Sequence, residues 1–322
     1  MRVLVTGSCG FVGRHLVSEL AAHGHEPVGF DLPAHAEPAI GCPVYTGDLR
    51  DPSALDACLD ATAPEACVHL AGMAFVPAAW ADPHGAMAIN LGGTLTVLEA
   101  FRARRLAGPV VVVTSAEVYG REARPEPVRE EHELHPSNLY GVSKIAADQA
   151  ALLYHRHHGL HVMTARPQNQ IGPGQSRHFV VSSFAQQLIA LKHSAPADPV
   201  LRTGNLESLR DFTDVRDVAR AYRLLLEKGR SGQAYNIASG RLLSIGSLLD
   251  QLCGIVGIQP RIETVRELYR PTDRPPQLAT QKIEQQTGWQ PAIPLATSLT
   301  DICDELLAAA LTEPAQKENT HE

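Results

Sequence analysis

The sequence lacks the features of nucleic-acid-binding and membrane proteins. Its formal net charge is −7, and it contains no run of Lys or Arg that could bind a phosphate backbone. No apolar stretch approaches the roughly 18 residues of a membrane span, and the first residues form a strand pattern rather than a signal peptide. We therefore expect a cytoplasmic protein with no nucleic-acid or membrane partner. Because the chain is acidic overall, any anionic ligand must be held by local hydrogen-bond donors at its site.

Paired cysteine motifs are also missing. The six cysteines include no C-x-x-C pair and are scattered at Cys9, Cys42, Cys58, Cys67, Cys253 and Cys303. Because zinc and redox sites require closely spaced cysteines, we interpret these as reduced, buried thiols.

The histidines offer no convincing metal site. Four of them lie close together, at His155, His157, His158 and His161. Gly159 should end the helix between them, and no acid or cysteine completes a ligand set. We therefore predict no metal.

What the sequence contains is an alternation of short apolar runs with helical patterns. Nearly continuous apolar character predicts strands buried on both faces of a parallel sheet, at 2–6, 27–31, 66–70, 110–115, 160–166 and 234–238. Between two of them, Val12, Leu16 and Leu20 recur at helical spacing. This alternation predicts a doubly wound α/β sheet.

The pattern changes after Pro167. Gly172 and Gly174 flank a proline, helices are predicted at 182–192 and 244–256, and further prolines and glycines punctuate the chain. We predict a Rossmann domain at 1–170 and 211–240, a smaller discontinuous α/β domain that binds the substrate at 171–210 and 241–311, and a flexible tail at 312–322.

A glycine turn separates the first strand from the first helix. Gly7, Gly10 and Gly13 have the spacing G-x-x-G-x-x-G. Glycine lets the backbone approach a pyrophosphate at the helix N-terminus, where the amides of Phe11 and Val12 also lie. This context predicts a dinucleotide cofactor.

Residues after the next strands should complete the cofactor site. Asp31 lies near the offset of about 20 residues at which an acid binds the adenosine ribose. Its charge should repel a 2′-phosphate, so NAD(H) is favoured, with NADP(H) possible. Asp48 and Leu49 should reach the adenine, and the run Leu70, Ala71 and Gly72 should lie beside the nicotinamide half.

Tyr140 and Lys144 are four residues apart and should share one helix face. Reduction of a carbonyl by hydride needs a proton donor at the oxygen. We expect Lys144, together with the charge of an oxidised nicotinamide, to lower the pKa of the Tyr140 phenol. Ser115, at the end of the strand predicted at 110–115, can bond the same oxygen.

These motifs together resemble the extended short-chain dehydrogenase/reductase superfamily over nearly the whole chain. They fall in the family's order: the glycine turn, Asp31, His69-Leu-Ala-Gly, Asn90-x-x-Gly93-Thr94, Ser115-Ala-Glu-Val-Tyr-Gly and Tyr140-x-x-x-Lys144. The resemblance implies that Tyr140 is the acid/base, that Lys144 binds the nicotinamide ribose and that Ser115 is the hydroxyl partner. It also implies a homodimer formed through a four-helix bundle of the helices around 86–104 and 138–155.

Two later segments, 166–175 and 204–217, resemble GDP-6-deoxy-4-keto-mannose reductases. This implies reduction of a nucleotide-linked 4-keto-6-deoxyhexose, with GDP-4-keto-6-deoxy-D-mannose favoured. It also implies substrate contacts, which we assign to Asn90, Asn169, Arg210, Arg270 and Asp273. Among these, Arg210 would bind the diphosphate, since guanidinium forks suit phosphate oxygens. Departures from the pattern at Gln168, Gln170 and Leu139 bear on the choice of sugar.

Glu117 keeps other reactions open. In the related 4,6-dehydratases an acid at this position removes the sugar C5 proton, although Ala116 replaces the polar neighbour that is usual there. The alternatives are therefore a GDP-mannose 4,6-dehydratase or a nucleotide-sugar 4-epimerase with tightly bound NAD. A more remote one is a non-catalytic NAD-binding regulatory protein, which the presence of Ser115, Tyr140 and Lys144 disfavours.

Overall fold

The computed structural model describes residues 1–35, 41–121, 124–269 and 275–312, with side chains described as far as residue 309. The strands are β1 Arg2–Thr6, β2 Glu26–Asp31, β3 Val44–Thr46, β4 Ala66–His69, β5 Val110–Val113, β6 Val162–Pro167, β7 Asn169–Ile171, β8 Val200–Thr203, β9 Leu209–Asp214, β10 Ala234–Ile237, β11 Leu242–Ser244 and β12 Arg261–Thr264. The helices are α1 Phe11–Ala22, α2 Pro52–Thr62, α3 Val76–Ala81, α4 Pro83–Met87, α5 Gly93–Ala103, α6 Leu139–His158, α7 Val180–Ser194, α8 Val215–Lys228, α9 Ile245–Val256, α10 Gln281–Thr287 and α11 Leu295–Thr312.

The main sheet has seven parallel strands in the order β10-β6-β5-β4-β1-β2-β3. The strand order reverses between β1 and β4, and ligands of such sheets bind outside the carboxyl ends of the strands at this switch point. Two smaller sheets have the orders β11-β9-β7 and β12-β8. The predicted doubly wound α/β fold is confirmed.

Alternate residues of the central strands enter two separate cores. Val3 and Val5 of β1 pack with Leu16 of α1 and Tyr222 of α8. Leu4, between them, packs on the other face with helix residues such as Leu98. Full burial of a side chain of this size contributes about 1.5–3 kcal/mol. Since both faces are covered by helices, the strands are apolar at successive positions, which is the pattern visible in the sequence.

The fifth strand ends earlier than predicted. β5 stops at Val113 rather than at residue 115. Ser115 instead begins a short 3-10 helix, Ala116–Tyr119, because its hydroxyl accepts a hydrogen bond from the amide of Glu117 at 3.1 Å. The fourth strand likewise ends at His69, one residue before the predicted end.

The chain divides into two compact units. The first comprises Met1–Gln170, Arg210–Leu242 and Asp273–Ala292, less the residues outside the described ranges, and it holds the main sheet. The predicted boundaries differ here, since they assigned all of 241–311 to the second domain. The reason is Trp289, which is 1% exposed, belongs to the core of the first unit and donates its indole N–H to the carbonyl of Asp217 at 2.8 Å.

The second unit comprises Ile171–Leu209, Leu243–Thr272 and Ile293–Glu322, again less the residues outside the described ranges. Its helices α7, α9 and α11 pack on one another, and β8 pairs in parallel with β12. Within it, Leu188 of α7 and Leu252 of α9 are fully buried. The unit therefore has a helical core of its own.

Candidate active site at the carboxyl edge of the main sheet

The glycine turn forms a tight bend between β1 and α1. Gly7 has φ +72°, and a Cβ there would lie 2.9 Å from the amide nitrogen of Ala71. A Cβ on Gly13 would lie 2.2 Å from the carbonyl oxygen of Gly7, so a side chain would push α1 away from the turn. Gly10 is the exposed N-cap of α1. The first N–H groups of any α-helix find no acceptor carbonyl within the helix, so those of α1 can donate to a ligand. The backbone there fits a pyrophosphate of a dinucleotide.

Asp31 ties the end of β2 to this turn. Its carboxylate is 8% exposed and accepts hydrogen bonds from the backbone amides of Cys9 and Leu32, each at 2.8 Å. Asp31, which we predict to bind the adenosine ribose, therefore also holds the glycine turn in place. A negative charge stands beside the bend, where the adenosine end of the cofactor is expected.

Asp48 and Leu49, which we expect to reach the adenine, follow β3 in the chain. Hydrogen bonding by Arg50 lowers the pKa of Asp48. Leu49 is buried and packs close to Gly93 of α5, where an added Cβ would lie 3.4 Å from the Cβ of Leu49.

His69, at the end of β4, lies in a buried chain of hydrogen bonds. Its Nδ1 is 2.7 Å from the hydroxyl of Thr6, and its Nε2 is 3.1 Å from the hydroxyl of Thr94. Thr94 donates to the carbonyl of Asn90 at 2.6 Å, so it must accept from Nε2–H, and His69 is the Nε2–H tautomer. Burial, with the nearby Lys144 charge, lowers the pKa of His69 to about 3. The neutral ring therefore links β1, through Thr6, to α5, through Thr94.

Asn90 is placed differently from its predicted contact with substrate. It lies in a π-helical turn, Ala88–Gly92, and is 1% exposed. Its Oδ1 accepts from the amide of Met73 at 2.8 Å, and its Nδ2 donates to the hydroxyl of Ser143 at 2.8 Å. A Cβ on Gly72 would lie 2.7 Å from this Oδ1. The Asn90 amide therefore holds the segment after β4 against α6.

The helix α6 carries both members of the Tyr–Lys pair. Asn138 caps its N-terminus, since Oδ1 accepts from the amide of Gly141 at 2.8 Å. Lys144 is buried, its Nζ donates to the carbonyl of Val113 at 3.0 Å, and it lies 6.0 Å from the centroid of the Tyr140 ring. The fold thus places the phenol, the ammonium group and the end of β5 together.

The expected lowering of the Tyr140 pKa does not come from the protein's own residues. Burial raises the pKa of Tyr140 to about 12, a hydrogen bond with Ser115 acts in the opposite direction, and the Glu117 charge raises the pKa further. Burial also lowers the pKa of Lys144 to about 8. The predicted lowering invoked Lys144 together with the charge of an oxidised nicotinamide, and in the protein alone the cost of burying the phenolate dominates.

Glu117 lies in the 3-10 turn after Ser115 and is held on both carboxylate oxygens. Arg121 donates to Oε1 through Nη2 at 3.0 Å and to Oε2 through Nε at 3.1 Å. Asn138 donates to Oε2 through Nδ2 at 2.6 Å. No sequence pattern indicates Arg121 as a site residue, whereas Asn138 shows the usual N-cap pattern of Asn directly before a helix.

The predicted substrate residues that the structure describes lie in the first unit. Asn169 is exposed on β7 and donates to the carbonyl of Asp211 at 3.2 Å, and Arg210 is half-buried on β9. Arg270 and Asp273 lie outside the described residues.

The described residues contain neither a cluster suited to a metal ion nor a helix suited to a membrane. Within the described ranges, no three or more His, Cys, Asp or Glu side chains are grouped so that they could hold a metal ion. In the same part of the chain, no helix combines the length and hydropathy needed to cross a bilayer.

Known proteins resemble this chain over nearly its full length. Residues 3–238 match the model of the NAD dependent epimerase/dehydratase family. A GDP-6-deoxy-D-mannose reductase of Pseudomonas aeruginosa is 37% identical over 94% of this chain and 96% of that protein. The structure of RMD from Pseudomonas aeruginosa complexed with NADPH has a TM-score of 0.84 at 36% identity, covering 96% of this chain and 99% of that one. The structure of the UDP-glucose 4-epimerase of Thermus thermophilus in complex with NAD has a TM-score of 0.85 at 28% identity. The match covers 96% of this chain and 100% of that one. The chain belongs to the NAD dependent epimerase/dehydratase family.

Proposed function

We propose that this protein reduces a nucleotide-linked 4-keto-6-deoxyhexose, GDP-4-keto-6-deoxy-D-mannose in the first place, with NAD(P)H as the reductant. The observation that carries the proposal is the arrangement of Ser115, Tyr140 and Lys144 at the carboxyl edge of a dinucleotide-binding sheet. The reductase of Pseudomonas aeruginosa, similar along nearly the whole chain, supports the choice of substrate.

The cofactor would be held by Gly7, Gly10, Gly13 and Asp31, with the amides of Phe11 and Val12, and by Lys144. Bound NAD(P)H supplies the hydride. Tyr140 donates its phenolic proton to the C4 oxygen of the sugar as the carbonyl is reduced. With a pKa of about 12 the hydroxyl is protonated at neutral pH, so it carries the proton that the reduction requires.

Ser115 and Lys144 prepare this proton transfer. The hydrogen bond between Ser115 and Tyr140 opposes the effect of burial, so it stabilises the phenolate that remains after the proton is given up. Lys144 donates to the carbonyl of Val113, which holds its ammonium group at the end of β5, where it would bind the nicotinamide ribose.

Glu117 favours a reductase over a dehydratase. A 4,6-dehydratase needs a carboxylate that can take the C5 proton from the sugar. In this structure, both oxygens of Glu117 accept hydrogen bonds, from the fork of Arg121 and from the amide of Asn138. These donors orient the carboxylate toward Arg121 and Asn138, and this orientation is the observation that favours reduction.

For the nucleotide-sugar portion we propose contacts by Asn169, Arg210, Arg270 and Asp273. Arg210 would bind the diphosphate. Arg210→Ala should then raise the KM for the sugar nucleotide while leaving NAD(P)H affinity close to that of the wild type, since loss of a charged hydrogen bond costs about 1.5–3 kcal/mol.

The reaction is tested by its stoichiometry. The purified protein is mixed with GDP-4-keto-6-deoxy-D-mannose and either NADH or NADPH, and the nicotinamide absorbance is followed. We expect one cofactor oxidised for each sugar reduced, and no conversion of GDP-mannose by the protein with NAD⁺ or NADP⁺. A 4-keto-6-deoxy product formed from GDP-mannose without net change in the cofactor would instead establish a dehydratase.

We further propose that the protein acts in the cytoplasm as a homodimer, paired through α5 and α6. These helices pack on each other within one chain, and α6 exposes Val142 and Leu153, at 41% and 42%. Four such helices from two copies would form a bundle. Light scattering on the wild type and on Leu153→Glu tests this, since the charged variant should be monomeric.

A further inference from the structure

Glu117 connects two elements that carry the reacting groups. It belongs to the turn that begins at Ser115, and its own backbone amide donates to the Ser115 hydroxyl at 3.1 Å. Its carboxylate accepts from the side chain of Asn138, the N-cap of α6, at 2.6 Å. Tyr140 follows two residues later. The bond between Glu117 and Asn138 therefore links the Ser115 turn to the first turn of α6, which carries the Tyr140 phenol.

Asn138 uses both ends of its amide in this bridge. Its Oδ1 accepts from the amide of Gly141 and caps the helix, and its Nδ2 donates to Glu117. Because an amide has one acceptor end and one donor end, the Glu117 carboxylate selects the orientation in which Oδ1 faces the helix. Arg121 holds the carboxylate from the other side through two of its nitrogens.

The two elements are also pressed together at Gly141. A Cβ at this position would lie 2.9 Å from the carbonyl oxygen of Glu117 and 3.0 Å from the Cβ of Pro136. A side chain there would force the helix away from the turn. The closeness of the backbones means that a shift of the cap is transmitted directly to Tyr140.

We propose that Glu117 is a positioning residue, which acts through Asn138 to hold the first turn of α6 against the Ser115 turn and so keeps the Tyr140 hydroxyl in register with Ser115. The proposal rests on the reduction proposed above. In this role Glu117 accepts a hydrogen bond from Asn138 and transfers no proton.

The first test compares two substitutions of Glu117. Glu117→Gln keeps an oxygen that can accept from Asn138, whereas Glu117→Ala removes it. Because a misplacement of about 1 Å can cost about 10²-fold in rate, we expect kcat to fall at least about tenfold in the Ala variant and to stay within about threefold of wild type in the Gln variant. NAD(P)H affinity should change little in either. Glu133→Gln, at an exposed acid paired with His135, is the matched control and should behave as the wild type.

The second test reverses the polarity of the bridge. Asp and Ser cap helices about as well as Asn, so a cap alone would tolerate Asn138→Asp and Asn138→Ser. In Asn138→Asp, a second carboxylate faces Glu117, and we expect kcat to fall about tenfold or more. The double variant Glu117→Gln with Asn138→Asp restores the hydrogen bond with donor and acceptor exchanged, and it should recover most of the loss.

A structural readout separates this inference from the proposed reaction. Amide hydrogen exchange at Gly141 and Val142, measured without substrate, should quicken in Glu117→Ala and Asn138→Asp and return toward wild type in the double variant. If the wild type does not reduce the 4-keto sugar but the variants show this exchange pattern, the proposed reaction fails and the positioning role stands. Equal loss of kcat in Glu117→Gln and Glu117→Ala, or unchanged exchange and rate in Asn138→Asp, would overturn the positioning role.

Discussion

Arg166 and Asp148 form a bidentate ion pair inside the first unit. The guanidinium donates through Nε to Oδ1 at 3.0 Å and through Nη2 to Oδ2 at 2.7 Å, with side-chain exposures of 3% and 0%. Nη1 also donates to the hydroxyl of Tyr119 at 2.7 Å. Asp148 is one turn beyond Lys144 on α6, and Tyr119 ends the turn that starts at Ser115. One guanidinium thus joins the two elements that carry the reacting groups.

We predict that Asp148→Ala destabilises the protein by about 3–5 kcal/mol, because it leaves the Arg166 charge buried without its carboxylate. Asp148→Asn, which keeps one acceptor, should cost less. Urea unfolding followed by circular dichroism measures both. Glu26→Gln is the control, since it breaks an exposed pair with Arg2 worth only about 0–1 kcal/mol. A loss for Asp148→Ala no larger than the control's would show that the pair is not needed for stability.

The parts of this molecule that could be predicted from the sequence are those set by local pattern. Strands buried on both faces must be continuously apolar, and the turn before α1 needs glycine at Gly7 and Gly13, where a side chain would strike the backbone. The short edge strand β3, with only Val44–Thr46, is too brief to give such a pattern and is not among the strands that apolar runs predict.

Relations between distant residues could not be predicted. The bond from Asn138 to Glu117 joins positions 21 residues apart, and Arg166 reaches Asp148 across 18. Both depend on how strands and helices stack rather than on neighbouring residues. The effect of burial on the pKa of Tyr140 could not be predicted for the same reason, since the extent of its burial is a property of the packed fold.

Tyr140→Phe should reduce turnover by about 10²–10⁴-fold, the usual contribution of a positioned acid, while NAD(P)H affinity stays close to wild type. Only the hydroxyl is removed, and the ring still fills its buried site. Tyr154→Phe makes the same change on the same helix, where the hydroxyl bonds Glu99, and it should keep activity. Steady-state kinetics and cofactor titration measure the two effects. More than about a tenth of wild-type turnover in Tyr140→Phe would assign the proton to another donor.

The pH dependence should be set by Lys144 rather than by Tyr140. Burial lowers the pKa of Lys144 to about 8, so its charge is present below that pH and is lost as the pH rises through it. Tyr140, with a pKa of about 12, stays protonated over the same range, and His69, with a pKa of about 3, stays neutral. We expect kcat/KM for NAD(P)H, which reports the free enzyme, to decline above a pH of about 8. Lys144→Met should be weakly active without this limb. A first alkaline limb near the pKa of Tyr140 would contradict the assignment.

Asp31 should influence the choice between NADH and NADPH in two separable ways. Asp31→Asn removes the charge but keeps an oxygen for the amide of Cys9, so the ratio of Kd for NADPH to Kd for NADH should fall about tenfold, equivalent to about 1.4 kcal/mol. Asp31→Ala also removes the anchor of the turn and should weaken both cofactors. Fluorescence titration gives the Kd of each cofactor for the wild type and for both variants. An unchanged ratio in Asp31→Asn would show that the carboxylate does not act on the 2′-position.

The fate of the sugar C5 hydrogen distinguishes the proposed reductase from an enzyme that uses Glu117 as a base. The C5 hydrogen is acidified by the neighbouring C4 ketone, so an available carboxylate would exchange it with solvent. Since both oxygens of Glu117 are engaged by Arg121 and Asn138, we expect the product formed in D₂O to carry no deuterium at C5. With NADPH deuterated at its transferable position, the product should carry one deuterium, at C4. Mass spectrometry and proton NMR locate the label, and a blank without enzyme corrects for spontaneous enolisation. If C5 labelling exceeds the blank and disappears in Glu117→Gln, the carboxylate is acting as a base in this active site, and the positioning role fails with it.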